Sequence, residues 1–139
     1  MASAALYTPQ VLALATGLAA WPWDEGLPLQ ASVRSRSCGS TLVLGLSLDT
    51  AARISRIGLK AQACAIGQAS AAIFAGAAMG CDARRITEID DAIAGWLAGE
   101  RGIPDWPGID VLAPAREYPG RHGAIRLAWQ AARQLLPYG

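Results

Sequence analysis

The chain reads as an α+β domain in which a three-stranded antiparallel β-meander packs with helices on one face. Three observations predict it. Adjoining stretches between residues 29 and 63 alternate apolar and polar side chains with turn residues between them, the pattern of half-buried strands. One helix signal precedes these strands and all remaining helical periodicity follows them, so strands do not alternate with helices as a parallel sheet would require. With 139 residues, 53% of them hydrophobic, the chain can bury a core without disulfides or metal as staples.

The first helix is expected near Pro9 to Ala19, with Thr8 as N-cap and Pro9 at the first helical position. Val11, Leu12, Leu14, Ala15 and Leu18 give it a broad apolar face. Trp21-Pro22-Trp23-Asp24-Glu25-Gly26 breaks it, and the tryptophans are read as plugs at a core edge. Leu29 to Ser37 alternates weakly and suits a partly exposed strand. Thr41 to Leu48 alternates strongly, with Leu42, Leu44, Leu46 and Leu48 on one face and Gly45 and Ser47 on the other. Asp49 to Ala52 turns the chain, and Ile57, Leu59, Ala61 and Ala63 continue the apolar face on the returning strand.

Ile66 to Met79 is a small-residue helix expected to be buried, with Gly80 as a C-cap. Thr87-Glu88-Ile89-Asp90 has the form of a capping box and is expected to open a helix with the stripe Ile89, Ile93, Trp96 and Leu97, ending at Gly99. Residues 100–119, with four prolines, are expected to be loop with a short turn at Ile109 to Leu112. The last helix spans about Arg121 to Leu136, where Pro137 stops it.

Composition narrows the function. Twelve basic and eleven acidic residues, net +1, give no field suited to nucleic acid or an anionic membrane. No apolar run approaches the roughly 20 residues that span a bilayer. The N-terminus has no basic region of the signal-peptide kind, so a cytoplasmic location is expected. Three cysteines without a tight framework fit a reducing compartment, where thiols stay free for chemistry or metal.

Cys38 falls before the strong strand and Cys64 after its returning partner. A hairpin between them brings both to one end of the sheet. Thiolates suit zinc and iron–sulfur clusters, and the unpaired N–H groups that open a helix favour negative charge where Cys64 sits. Cys81 follows the glycine that ends the Cys64 helix and reads as a small buried hydrophobe at the far end.

Leu6-Tyr7-Thr8-Pro9-Gln10-Val11-Leu12, Ser37-Cys38-Gly39 before a strand, Ala63-Cys64-Ala65-Ile66 with Ala69-Ser70 at a helix start, and Tyr118-Pro119-Gly120-Arg121 before the last helix together form a pattern. In these segments the chain resembles the U-type iron–sulfur cluster assembly scaffolds (IscU, SufU and the amino-terminal domain of NifU). The resemblance runs over nearly the whole chain and implies one domain of that type over residues 1–139, with the SufE/IscU-like fold. It implies cluster or metal binding through Cys38 and Cys64, with iron–sulfur (a [2Fe–2S] cluster) or zinc as the cofactor. It departs from the family at the ligands. Ser40 stands where family members carry an aspartate, Ala124 where a third ligand cysteine is expected, and Gly123 before it where the IscU branch has histidine. His122, the sole histidine, becomes a candidate third metal ligand through that register, with Arg121 beside it to retain an anionic thiolate or persulfide. Asp110, Glu117 and Ser40 are weaker oxygen candidates.

The implied partners are a cysteine desulfurase and iron–sulfur apo-proteins, with no nucleic acid and no membrane. The implied role is that of a scaffold and not an enzyme. Two other readings stay open. Cys38-Gly39-Ser40 is also similar to the Cys-Gln-Ser of SufE-type sulfur acceptors, in which Cys38 alone would take persulfide sulfur. The third is an interaction domain whose site has degenerated.

Overall fold

The computed structural model describes residues 6–36 and 39–137. Helix α1 (Pro9–Gly17) opens as its sequence dictates: the Thr8 side chain accepts from the Val11 N–H, and Pro9 occupies the first turn, where a missing N–H costs nothing. A 3-10 turn, Leu18–Ala20, ends it. Strands β1 (Leu29–Arg34), β2 (Thr41–Leu48) and β3 (Ile54–Gln62) form one antiparallel sheet in the order β1-β2-β3. Helices α2 (Ala65–Ala78), α3 (Ala83–Leu97) and α4 (His122–Leu135) follow, with a 3-10 segment, Ile109–Glu117, between the last two. The expected meander and helices are therefore found, and the expected loop of residues 100–119 carries more helical turn than a short Ile109–Leu112 element.

Alternation along β2 turns Leu42, Leu44 and Leu46 into the core against α4. On the opposite face Gly45 pairs with Gly58, and the missing side chains leave a trough. The segment from Trp21 to Leu27 fills it: a Cβ on Gly45 would lie 2.9 Å from Leu27 Cδ1 and 3.3 Å from Trp23 Cζ3. The same segment covers the outer edge of β3, where the Leu59 N–H donates to the Trp21 carbonyl at 3.0 Å. The tryptophans thus pack at a core edge. Asp49 organises the β2–β3 turn by accepting from the Ala51 and Arg53 N–H groups at 2.8 and 3.0 Å, and Ala52 takes a left-handed φ of 60°.

Helix α2 is the centre of the molecule. Its alanines and glycines let α1 and α4 approach closely, and ten of its fourteen residues are buried. Phe74 from α2, Trp129 from α4 and Trp106 from the connecting loop form an aromatic cluster, with Phe74–Trp129 and Trp106–Trp129 centroids 5.4 and 5.5 Å apart in edge-to-face geometry. Helix α3 corrects one expectation. It begins four residues before Thr87, because Asp82 is the N-cap and accepts from the Arg85 N–H at 3.0 Å. The expected stripe holds, with Ile86 added in front of Ile89, Ile93 and Trp96.

Candidate metal and sulfur site

One end of the sheet carries the connection from β1 to β2 and the exit of the chain from β3. Arg34 pairs with Thr41, and between them the Ser35 N–H donates to the Ser40 carbonyl at 2.8 Å and the Gly39 N–H to the Ser35 carbonyl at 3.1 Å. Gly39 has a φ of +71°, which glycine adopts without a Cβ penalty. Cys38 stands between Ser35 and Ser40 in the sequence and lies outside the described residues. Thr41 in turn pairs with Gln62, so the chain leaving β3 through Ala63 and Cys64 emerges at the end of the sheet where the Ser35–Ser40 turn sits.

Cys64 is the N-cap of α2, half-buried, with extended backbone (φ −64°, ψ 168°). Its thiol makes no capping hydrogen bond, so the first N–H groups of α2 have no side-chain oxygen from the N-cap. Gln68 steadies the approach: its side-chain amide donates to the Ala63 carbonyl at 2.9 Å and its N–H to the Cys64 carbonyl at 3.0 Å. Helix α4 crosses α2 beside this turn. A Cβ on Gly67 would lie 2.9 Å from the Ala63 Cβ and 3.3 Å from the Ala124 Cβ, and one turn on, the Ser70 hydroxyl donates to the Ile125 carbonyl at 2.6 Å. Ala124 is therefore the α4 residue that faces the Cys64 turn.

His122 is held elsewhere. Two residues along a helix is a rotation of about 200°, and the imidazole Nε2 lies 2.8 Å from the Arg116 carbonyl, lining a groove with Ala94 and Leu97 of α3 and its C-cap Ala98. Arg121 ties this segment to the start of α1, donating to the Tyr7 hydroxyl at 3.1 Å. Ser40 is buried, whereas Asp110 and Glu117 are exposed on the 3-10 segment. Among the described residues, no three His, Cys, Asp or Glu side chains group as a metal site.

Cys81 sits beyond the far end of α2, which at fourteen residues is about 21 Å long. Its sulfur contacts the Ala77 carbonyl at 3.5 Å. Burial pushes the Cys81 thiol above the ordinary range, with Arg85 lowering it and Asp82 raising it by smaller amounts. Sequence reading missed a second polar centre: Asp90, only 1% exposed, receives Arg126 through two bonds of 3.2 Å and Arg133 through one of 3.0 Å. The available signal was two arginines seven residues apart on α4 with adjacent aspartates on α3.

Among the described residues no helix is long and apolar enough to cross a membrane. No family model matches the chain, and no curated protein matches it. Solved structures do. A nitrogen-fixing NifU-like protein (N-terminal) from Brucella abortus superposes with a TM-score of 0.87 at 23% identity, covering 97% of this chain and 94% of that one. A SufU from the thermophile Fervidobacterium islandicum AW-1, described as a candidate iron–sulfur cluster assembly scaffold of the SUF system, gives 0.78 at 19% identity over 95% and 97%. The chain has the α+β fold of the U-type scaffolds, the three-stranded antiparallel sheet and its helices included.

Proposed function

We propose that this protein is a scaffold-like carrier in iron–sulfur cluster assembly that holds iron, zinc or a [2Fe–2S] cluster, or receives sulfur, through Cys38 and Cys64. The observation that carries the reading is the position of Cys64, which opens α2 at the end of the sheet where Ser35 and Ser40 bond, the two residues between which Cys38 stands in the sequence. Soft thiolates are the donors that such metals select, and the open N-terminus of α2 favours the negative charge that thiolate, persulfide or bridging sulfide brings. The fold shared with the NifU-like and SufU structures agrees with this use. The metal or cluster is cargo, so the protein is a carrier and not a turnover enzyme. Its partners are a cysteine desulfurase as sulfur source and apo-proteins as recipients.

The test is anaerobic purification and reconstitution with ferrous iron and sulfide, followed by iron, zinc and acid-labile sulfide analysis. Wild type retains metal, and Cys38→Ser and Cys64→Ser each lose most of it, because loss of one ligand opens the site. Wild type without metal under reducing conditions would overturn the reading.

A second reading, the SufE-like sulfur acceptor, is favoured by one observation: the α4 residue that faces the Cys64 turn is Ala124, which brings no third thiolate. Sulfur transfer needs only one. The Cys38 thiolate attacks the outer sulfur of the desulfurase persulfide, a new S–S bond forms as the old one breaks, and the desulfurase cysteine leaves as thiolate. With desulfurase and free cysteine, sulfane sulfur that accumulates equally on wild type and Cys64→Ala would select this reading.

A further inference from the structure

The two edges of the sheet are treated differently. The outer edge of β3 is bonded at two places: the Leu59 N–H donates to the Trp21 carbonyl, and Ile54 exchanges backbone hydrogen bonds with Gly80 and Cys81 at 2.8 and 2.9 Å. The outer edge of β1 has no backbone hydrogen-bond partner among the described residues. A free strand edge is a template on which another extended chain can pair.

Beside that edge runs an open groove of about 550 Å³ between β1 and α4, with Asp90 of α3 at its floor. Arg34, Arg126 and Arg133 line it together with Gln130 and Gln134; Asp90 pairs with Arg126 and Arg133, and Asp91 with Arg133 at 2.9 Å, so three guanidiniums face two carboxylates. Asp90 fixes two of these arginines in place, and their side chains remain 30% and 32% exposed. Arg34 is exposed and forms no ion pair among the described residues. Pinned arginines lose little further freedom when they bind, which suits them to recognise carboxylates.

From these two features we infer that β1 is a docking edge for an extended, acidic segment of a partner protein, added antiparallel or parallel as a fourth strand. In a strand, alternate side chains point to the same face. The residues of the added strand on the helix side therefore enter the groove, and those positions carry Asp or Glu, while backbone bonds to β1 supply sequence-independent affinity. β1 ends at Arg34, next to the Ser35–Ser40 hydrogen bond, so a docked segment would lie alongside that connection.

A synthetic peptide with glutamate alternating with valine and threonine is the probe, labelled for fluorescence anisotropy, with a lysine-for-glutamate version as control. Wild type binds the acidic peptide, more weakly as salt rises, and not the lysine peptide. Arg34→Glu weakens binding about tenfold or more through repulsion across the groove. Because Arg34 is exposed and outside the Asp90 network, this variant should fold, which its thermal transition checks. Hydrogen exchange on the complex shows new protection at the outward amides of β1, and the same peptide methylated at alternate backbone nitrogens does not bind. Equal binding of the lysine peptide, no effect of Arg34→Glu, absence of β1 protection, or equal competition by free glutamate would each overturn the inference.

Discussion

At Cys64 and Cys81 the same side chain sits in two settings that chemistry treats differently. Cys64 opens a helix beside a hairpin turn, whereas Cys81 is held against the Ala77 carbonyl, with burial raising its thiol. Cys81→Ser should therefore retain the metal that Cys64→Ser loses, and equal loss in both would detach metal binding from the sheet end. A raised thiol means that the fold favours the neutral form. Its contribution to stability is complete below the ordinary thiol pKa and is lost as pH rises through the raised value. Urea midpoints of wild type should fall further in alkaline solution than those of Cys81→Ala, and parallel curves would contradict this. Gly58 gives a second residue-scale prediction. A Cβ there would lie 2.8 Å from Leu27 Cδ1 and 3.0 Å from the Pro22 carbonyl oxygen, and backbone cannot swing aside. Gly58→Ala should cost about 1–3 kcal/mol in equilibrium urea unfolding.

Among the elements, local signals were legible and distant ones were not. Thr8-Pro9 announces α1 because N-cap and first turn are set by adjacent residues. The strong alternation of Thr41 to Leu48 gives β2 its exact span for the same reason. Thr87-Glu88-Ile89-Asp90 misleads because Asp90 has a short-range explanation in sequence and a long-range one in space: its carboxylate belongs to Arg126 and Arg133, 36 and 43 residues away. The core-edge place of Trp21 and Trp23 was legible, but their segment's seat over the Gly45–Gly58 pair was not, since that pair is brought together only by the β2–β3 register. The candidate site was legible as one sheet end through hairpin logic, but the direction of His122 depends on how α4 packs on α2 and α3. Asp90→Asn should test the α3–α4 bond. It removes the charge that two partly exposed arginines share with a buried carboxylate, and about 2–3 kcal/mol of stability should go with it. A change under about 0.5 kcal/mol, within the range of ordinary surface substitutions, would show that the pairing contributes little.

Across the whole molecule the candidate site depends on three parts meeting: the hairpin that returns β3 to the Ser35–Ser40 turn, α2 starting at Cys64, and α4 crossing at Gly67. The last supplies Ala124, a methyl group at the crossing where a thiol would complete a three-sulfur set. Ala124→Cys asks whether the fold still places that position for ligation. The added sulfur enters a close-packed contact and should cost roughly 1–3 kcal/mol, which the buried helix pair should tolerate with Ser70 still bonded to Ile125. If Cys38 and Cys64 hold metal, a third thiolate adjoining them should slow metal loss to a chelator several-fold, because all three ligands must release together. Ala128→Cys is the control: it is as buried as Ala124 but one helical turn further along α4, away from the Cys64 turn. Chelator-driven release of cobalt or zinc, followed by absorbance, distinguishes them. Slower release from Ala124→Cys alone would show that α4 can contribute a ligand at this end of the sheet, and identical release from both variants would mean that α4 takes no part in the site.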